Sequence, residues 1–318
     1  MNDSDARVTT RLLQQRARAL KRHLPAAVAG DDHAVHQARV ATRRLREAVP
    51  VLSTGLKQGK VRKAGRKIRR LTRALGGVRE LDVTLHLLDE LARDGAVPRT
   101  ALEDVRAHVV AERDRSREVM IARLHDVNAD KLQRRLASVA EALEESDDDA
   151  WREVLGTRML KRSRKLRAAI DEAGQMYVPD RLHAVRIAAK KLRYTLELAA
   201  DSGATTAAPL VRTIKRAQDL LGRLHDLQIL QTHVAAVQAG PGTARPGMHQ
   251  ALESVARYVE DACRHLHGRY LGSAGTLREL CEAIPVKVVP QLEKPRARRP
   301  LKMGLARKSA SATAGGRR

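Results

Sequence analysis

The chain repeats itself. Residues 36–46, HQARVATRRLR, line up with residues 183–193, HAVRIAAKKLR, at an offset of 147. His36 falls on His183, Arg39 on Arg186, Arg43 and Arg44 on Lys190 and Lys191, and Arg46 on Arg193. A second pair follows in the same order at an offset of 146: IRRLTRALGGVRELDV (68–83) against IKRAQDLLGRLHDLQI (214–229). A weaker third pair relates the basic stretch near 7–22 to that near 158–167. Self-similarity in fixed order and separation is the mark of an internally duplicated architecture. It predicts two similar halves, 1–146 and 147–286, followed by a tail, 287–318.

Both halves read as helix. Apolar residues recur at three- and four-residue spacing, and no stretch alternates at period two for long enough to build a sheet. Turn signals fall at 29–32, 53–55, 76–77, 94–98, 145–150, 177–180, 201–209 and 239–247, which leaves five or six helices per half. The expected fold is all-α, two similar helical bundles. Their core must be aliphatic, because the chain has no Phe, one Trp and four Tyr. The segment 294–318 holds nine Lys or Arg, no acid and many small residues, so the tail is expected to lack structure.

The repeated segments have a consistent polarity. At 100° per residue, Arg39, Arg43 and Arg46 lie within about 80° of His36. Ala38, Ala41, Leu45, Ala48, Val49 and Leu52 lie opposite. His183, Arg186, Lys190 and Arg193 repeat the pattern against Val185, Ala188, Leu192 and Leu196. Arg62, Arg66, Arg69, Arg70 and Arg73 share a face of the next helix; its partner offers Arg212, Lys215 and Arg216, with Asp219 where Arg73 stood. The leading helices add Arg11, Arg18 and Arg22, then Arg158, Lys161, Arg162 and Lys165. Like charges at i,i+3 and i,i+4 cost a few tenths of a kcal/mol per pair. One such stripe is ordinarily a solvated face. The same stripe at the same helical phase in two diverged halves points to a shared, polyanionic partner. The formal net charge of +24 agrees, and the chain still carries +15 without the last 25 residues. Arg outnumbers Lys by 46 to 15, and its planar fork can hold two phosphate oxygens. Both histidines stand just inside a helix start, with Asp32 and Asp180 as expected N-caps, where backbone amides favour phosphate.

These segments resemble the CHAD family, the conserved-histidine α-helical domain. KKLRYTLE and LLGRLHDL are especially typical, and the resemblance covers roughly residues 4–285. It implies two bundles related by a pseudo-two-fold axis, with basic faces converging on a central cavity. It also implies binding of inorganic polyphosphate and association with polyphosphate granules. Carried onto matching positions, the ligand-facing set is His36, Arg39, Arg43, Arg44, Arg46, Arg69, Arg70 and Arg73 in the first half. In the second half it is His183, Arg186, Lys190, Lys191, Arg193, Lys215 and Arg216. Members of this family are often fused to a triphosphatase domain with an ExExK signature. This chain has none, so no hydrolase activity is expected.

Other chemistry finds little footing. Cys263 and Cys281 fit no zinc spacing and read as buried thiols of a reducing compartment. No apolar run approaches the roughly 18 residues of a membrane span, and no signal-peptide core opens the chain, so a cytoplasmic protein is expected. His33 and His36 lack the further ligands of a metal site, so no metal or cofactor is expected. Glu80 and Asp82 are not preserved as a pair at Asp226 and Gln228. No P-loop, GxGxxG or GxSxG is present. A phosphoacceptor role for His36 or His183 sits poorly with their arginine surroundings. The alternative is nonspecific nucleic-acid binding driven by the tail. Against it, aromatics are only 2%, too few for a stacking platform.

Overall fold

The computed structural model describes residues 3–126, 128–146, 150–240 and 245–293. Among them there is no strand. Helices α1 (Asp3–Val28), α2 (Asp32–Leu52), α3 (Gln58–Ala74), α4 (Gly77–Asp94), α5 (Arg99–Asp126) and α6 (Ala129–Glu144) precede residue 147. Helices α7 (Ala150–Ala173), α8 (Pro179–Asp201), α9 (Ala207–Gln238) and α10 (Met248–Ala283) follow it. A π-helical turn (Ile284–Val288) then leads into the short α11 (Val289–Glu293). The all-α expectation holds. Helix therefore continues past 287, where the tail was expected to begin. Val288 and Leu292 are buried, and α11 packs against α7. Residues 294–318, with the rest of the expected tail, lie outside the described residues.

Local chemistry sets the helix ends. The Asp31 carboxylate accepts the Ala34 amide at 2.6 Å and caps α2. The cap was expected one residue later. Asp32 instead sits in the first turn, where Arg113 donates to both its oxygens at 3.1 Å. The second expected cap also moves: α8 opens on Val178, with Pro179 in its first turn and no side-chain cap, and Asp180 is already helical. The α4 helix stops at Gly95, whose φ of 66° lets its amide reach the Leu91 carbonyl.

The two repeated segments differ at one joint. Leu75 and Gly76 form the break between α3 and α4, and Gly77 already opens α4. The residues matching the two glycines, Gly222 and Arg223, lie inside the unbroken α9. A lone glycine costs a helix only about 1 kcal/mol. The glycine pair yields, and Arg39 holds the break by donating to the carbonyls of Gly76 at 2.5 Å and Leu75 at 3.3 Å.

Helix α1 packs on α2 and α6, α7 on α8, α8 on α9, and α9 on α10. Buried apolar side chains form two clusters. One joins α1, α2, α3, α6, α7 and α8 with Val78 of α4, the end of α5, the start of α9 and the end of α10. The other joins α4 and α5 to the later part of α9 and the earlier part of α10, through Leu87, Leu91, Val105, Leu230 and Val255 among others. Both clusters draw on residues from either side of 147. Trp151 is fully buried among aliphatic neighbours. Cys263 and Cys281 are buried and unpaired. Among the described residues no helix is long and apolar enough to cross a membrane.

Candidate anion-binding site

Helix α2 presents Ala38, Leu45, Ala48 and Val49 to the core, each essentially fully buried. That fixes its opposite side, with His36, Arg39 and Arg43, toward α4 and α8, both of which α2 contacts. On α8 the burial of Val185, Ala189, Leu192 and Leu196 aims His183, Arg186 and Lys190 the same way. The α4–α9 contact completes the junction with Arg79 and Glu80 from one helix and His225 and Asp226 from the other. Four helices thus bring five Arg or Lys side chains against two carboxylates.

The electrostatics follow from half-burial among like charges. Arg39 is lowered to about 10, by burial first and then by Arg43 and Arg186. Lys190 is lowered to about 7, by burial and then by Arg186, Arg43 and Arg39, against the pull of Asp226. Burial also lowers Arg186. His36 is pushed below the usual histidine range by burial, Arg79 and other neighbouring cations, and His183 by burial, His225 and Arg186. Both rings are therefore held neutral. Burial raises Asp226 despite the cations around it. Glu80 is lowered, chiefly by His225, whose Nε2 stands 3.5 Å from its Oε1. The His183 and His225 rings lie 4.8 Å apart.

Arg43, Arg79, Arg186 and Lys190 make no hydrogen bond or ion pair with the described residues. The Arg186 Nε–H is buried and has no acceptor. A buried unsatisfied donor on a cation is costly. Helix α3 extends the positive surface. It contains no acidic residue, and Arg66, Arg69, Arg70 and Arg73 are exposed, with no ion pair among the described residues.

Other expected ligand-facing residues are engaged elsewhere. Arg39 is tied to the α3–α4 break, as described. Arg44 Nε lies 3.0 Å from Glu197 Oε2, and Arg193 Nε lies 3.5 Å from Glu197 Oε1, so one carboxylate serves both. With Arg16 and Asp201, Arg44 lines a cleft of about 330 Å³ on a different side of α2. Arg158 and Arg162 both approach Glu47, and Arg162 also donates to the Lys191 carbonyl at 2.6 Å and to Thr195 Oγ1 at 3.1 Å. These two are struts between α7, α2 and α8. Arg216 lines a cleft of about 730 Å³ between α9 and α10. Arg11, Arg18, Arg22, Arg46, Lys161, Lys165, Lys191, Arg212 and Lys215 are exposed on helix surfaces.

Sequence reasoning left Arg79, His225, Glu80 and Asp226 out of the ligand set. The signal was present, because the second repeated pair sets Arg79 against His225 and Glu80 against Asp226.

Comparison with known proteins now has a structure to rest on. A family model for the CHAD domain matches residues 11–235. The chain belongs to the CHAD domain family, whose members are helical domains associated with polyphosphate binding and not known as catalytic ones. The crystal structure of the CHAD domain from the plant Ricinus communis superimposes with a TM-score of 0.57 at 20% identity, covering 87% of this chain and 91% of that one. PptA from Streptomyces chartreusis gives a TM-score of 0.49 at 16% identity, covering 88% of this chain and 98% of that one. No curated protein matches the sequence.

Proposed function

We propose that this protein binds inorganic polyphosphate, without chemically converting it, in a basic groove centred on the junction of α2, α4, α8 and α9. The observation that carries this reading is the convergence of Arg43, Arg79, Arg186 and Lys190, half-buried and without ion pairs. Successive phosphates would neutralise them. Arg43 and Arg186 would make bidentate contacts, and neutral His36 and His183 would donate single hydrogen bonds. The exposed arginines of α3 would carry the chain outward. Membership of the CHAD family supports the choice of ligand. The same reading places the protein at polyphosphate granules in the cytoplasm.

We further read the two halves as products of duplication. The packing of α2 on its counterpart α8, and of α4 on its counterpart α9, supports a pseudo-two-fold axis through the groove.

The test is a competition titration at about 150 mM salt, where exposed surface charges are largely screened. Labelled long-chain polyphosphate is challenged with unlabelled long-chain polyphosphate, pyrophosphate, duplex DNA and RNA at equal phosphate concentration. Only long polyphosphate should compete well, and no orthophosphate should be released. Equal competition by DNA or RNA would instead make the basic faces a general polyanion surface, with the tail contributing. Log K should fall with log salt, with a slope of roughly −0.7 per phosphate neutralised.

A further inference from the structure

Further along α9 from His225 and Asp226, His233 faces His108 and Glu112 of α5. His108 Nε2 lies 3.7 Å from Glu112 Oε2, and His233 Nδ1 lies 3.4 Å from the same oxygen. The two rings are 5.7 Å apart, and one ligand atom from each of the three residues falls within 4.8 Å of the others. We infer that His108, Glu112 and His233 form a binding site for a divalent transition metal, with Zn²⁺ the best fit.

The dimensions suit the ion. Ligand bonds of about 2.0–2.1 Å in a tetrahedron place neighbouring donors about 3.3 Å apart. Two of the three edges are already near that value. Two imidazoles and one carboxylate are a borderline-soft set that favours Zn²⁺, Co²⁺, Ni²⁺ or Fe²⁺ over Mg²⁺ or Ca²⁺. The framework is also firm. His108 and Glu112 are one helical turn apart on α5, and His233 is buried where α9 meets α5. Glu112 is notable for its partners. In a chain with 61 Lys and Arg, its ion pairs among the described residues are with the two histidines alone. Glu112 also lines a cleft of about 220 Å³ whose other walls include Arg73, Arg115 and Arg123. The site does not depend on the polyphosphate reading.

The experiment uses the full chain without an affinity tag, stripped with a chelator and dialysed. Co²⁺ is titrated in while visible absorption is followed, and Zn²⁺ is then used to displace it. One tight equivalent with the intense absorption of a tetrahedral site is expected. His108→Ala and Glu112→Gln sit on an accessible surface and should leave the helical circular dichroism intact. Each should weaken binding by at least the roughly tenfold that loss of even an outer-shell partner costs. His233→Ala should do the same, provided its dichroism is unchanged. His36→Ala/His183→Ala should bind like the parent. Absence of a tight equivalent overturns the assignment. So does binding that survives His108→Ala and Glu112→Gln, or that is lost in His36→Ala/His183→Ala.

Discussion

Between pH 7 and pH 9 the affinity for polyphosphate should fall, and Lys190 sets by how much. In the empty groove its ammonium is held at about 7 by burial and by Arg186, Arg43 and Arg39. At pH 7 it is half protonated, and at pH 9 only about 1% protonated. A bound polyanion cancels the repulsion and restores the ammonium toward its ordinary value of 10.5. Each binding event above pH 7 must then take up a proton, and linkage makes the affinity fall with pH. If the restored value lies above 9, the association constant drops roughly fiftyfold from pH 7 to pH 9. Calorimetry at pH 8 in buffers of different ionisation enthalpy should show about 0.9 proton taken up. Lys190→Arg, which stays charged throughout, should bind with a much flatter pH profile. Subtracting its profile also removes whatever His36 and His183 contribute. Equal affinity at pH 7 and pH 9, or no buffer dependence, would refute the account of the groove as a set of uncompensated buried cations.

Four further outcomes follow from the same geometry. Lys190 is depressed relative to the unfolded chain, so the unfolded state binds more protons between about pH 7 and 10.5 and stability rises with pH across that window. Lys190→Met should therefore stabilise the protein at pH 7 by on the order of 1 kcal/mol per pKa unit of depression, with a shrinking gain toward pH 10, read from urea unfolding. Arg39→Ala should cost about 1.5–3 kcal/mol, because it frees the Leu75 and Gly76 carbonyls from a charged donor, whereas Arg43→Ala should weaken ligand binding and leave stability unchanged or improved. Asp201→Ala should destabilise by about 1–3 kcal/mol, since it strips the buried Arg16 of its 2.6 Å partner; chemical denaturation reports it. Glu47→Gln should lower the melting temperature by loosening Arg158 and Arg162, yet leave polyphosphate affinity within about twofold, since neither arginine faces the groove.

Helical phase was the most legible property of the sequence. A 3.6-residue period divides α2 into a core side and a basic side without reference to any other helix, and Leu45, Ala48 and Val49 are buried accordingly. Which arginines remain free was not legible, because their acids arrive from afar. Glu47 reaches Arg162 across 115 residues, and Glu197 reaches Arg44 across 153. Both pairings depend on how α2, α7 and α8 lie on one another, which no local pattern encodes. The caps missed for a simpler reason. Asp31 and Asp32 are chemically equal as capping side chains, and only the backbone angles of Asp31 decide between them. His108 and His233 are each unremarkable in sequence, and only the α5–α9 contact makes them neighbours.

The second apolar cluster carries a consequence for synthesis. Its α4 and α5 walls leave the ribosome long before α9 and α10, their partners, are translated. Contacts separated by more than a hundred residues must wait for a long loop to close, and such closures slow folding. A nascent chain that ends before residue 207 would lack the α9 and α10 residues that cover Leu87, Leu88, Leu91, Val105 and Val109. Until α9 and α10 are made, that face stays without its partners, and a chain interrupted there is open to aggregation.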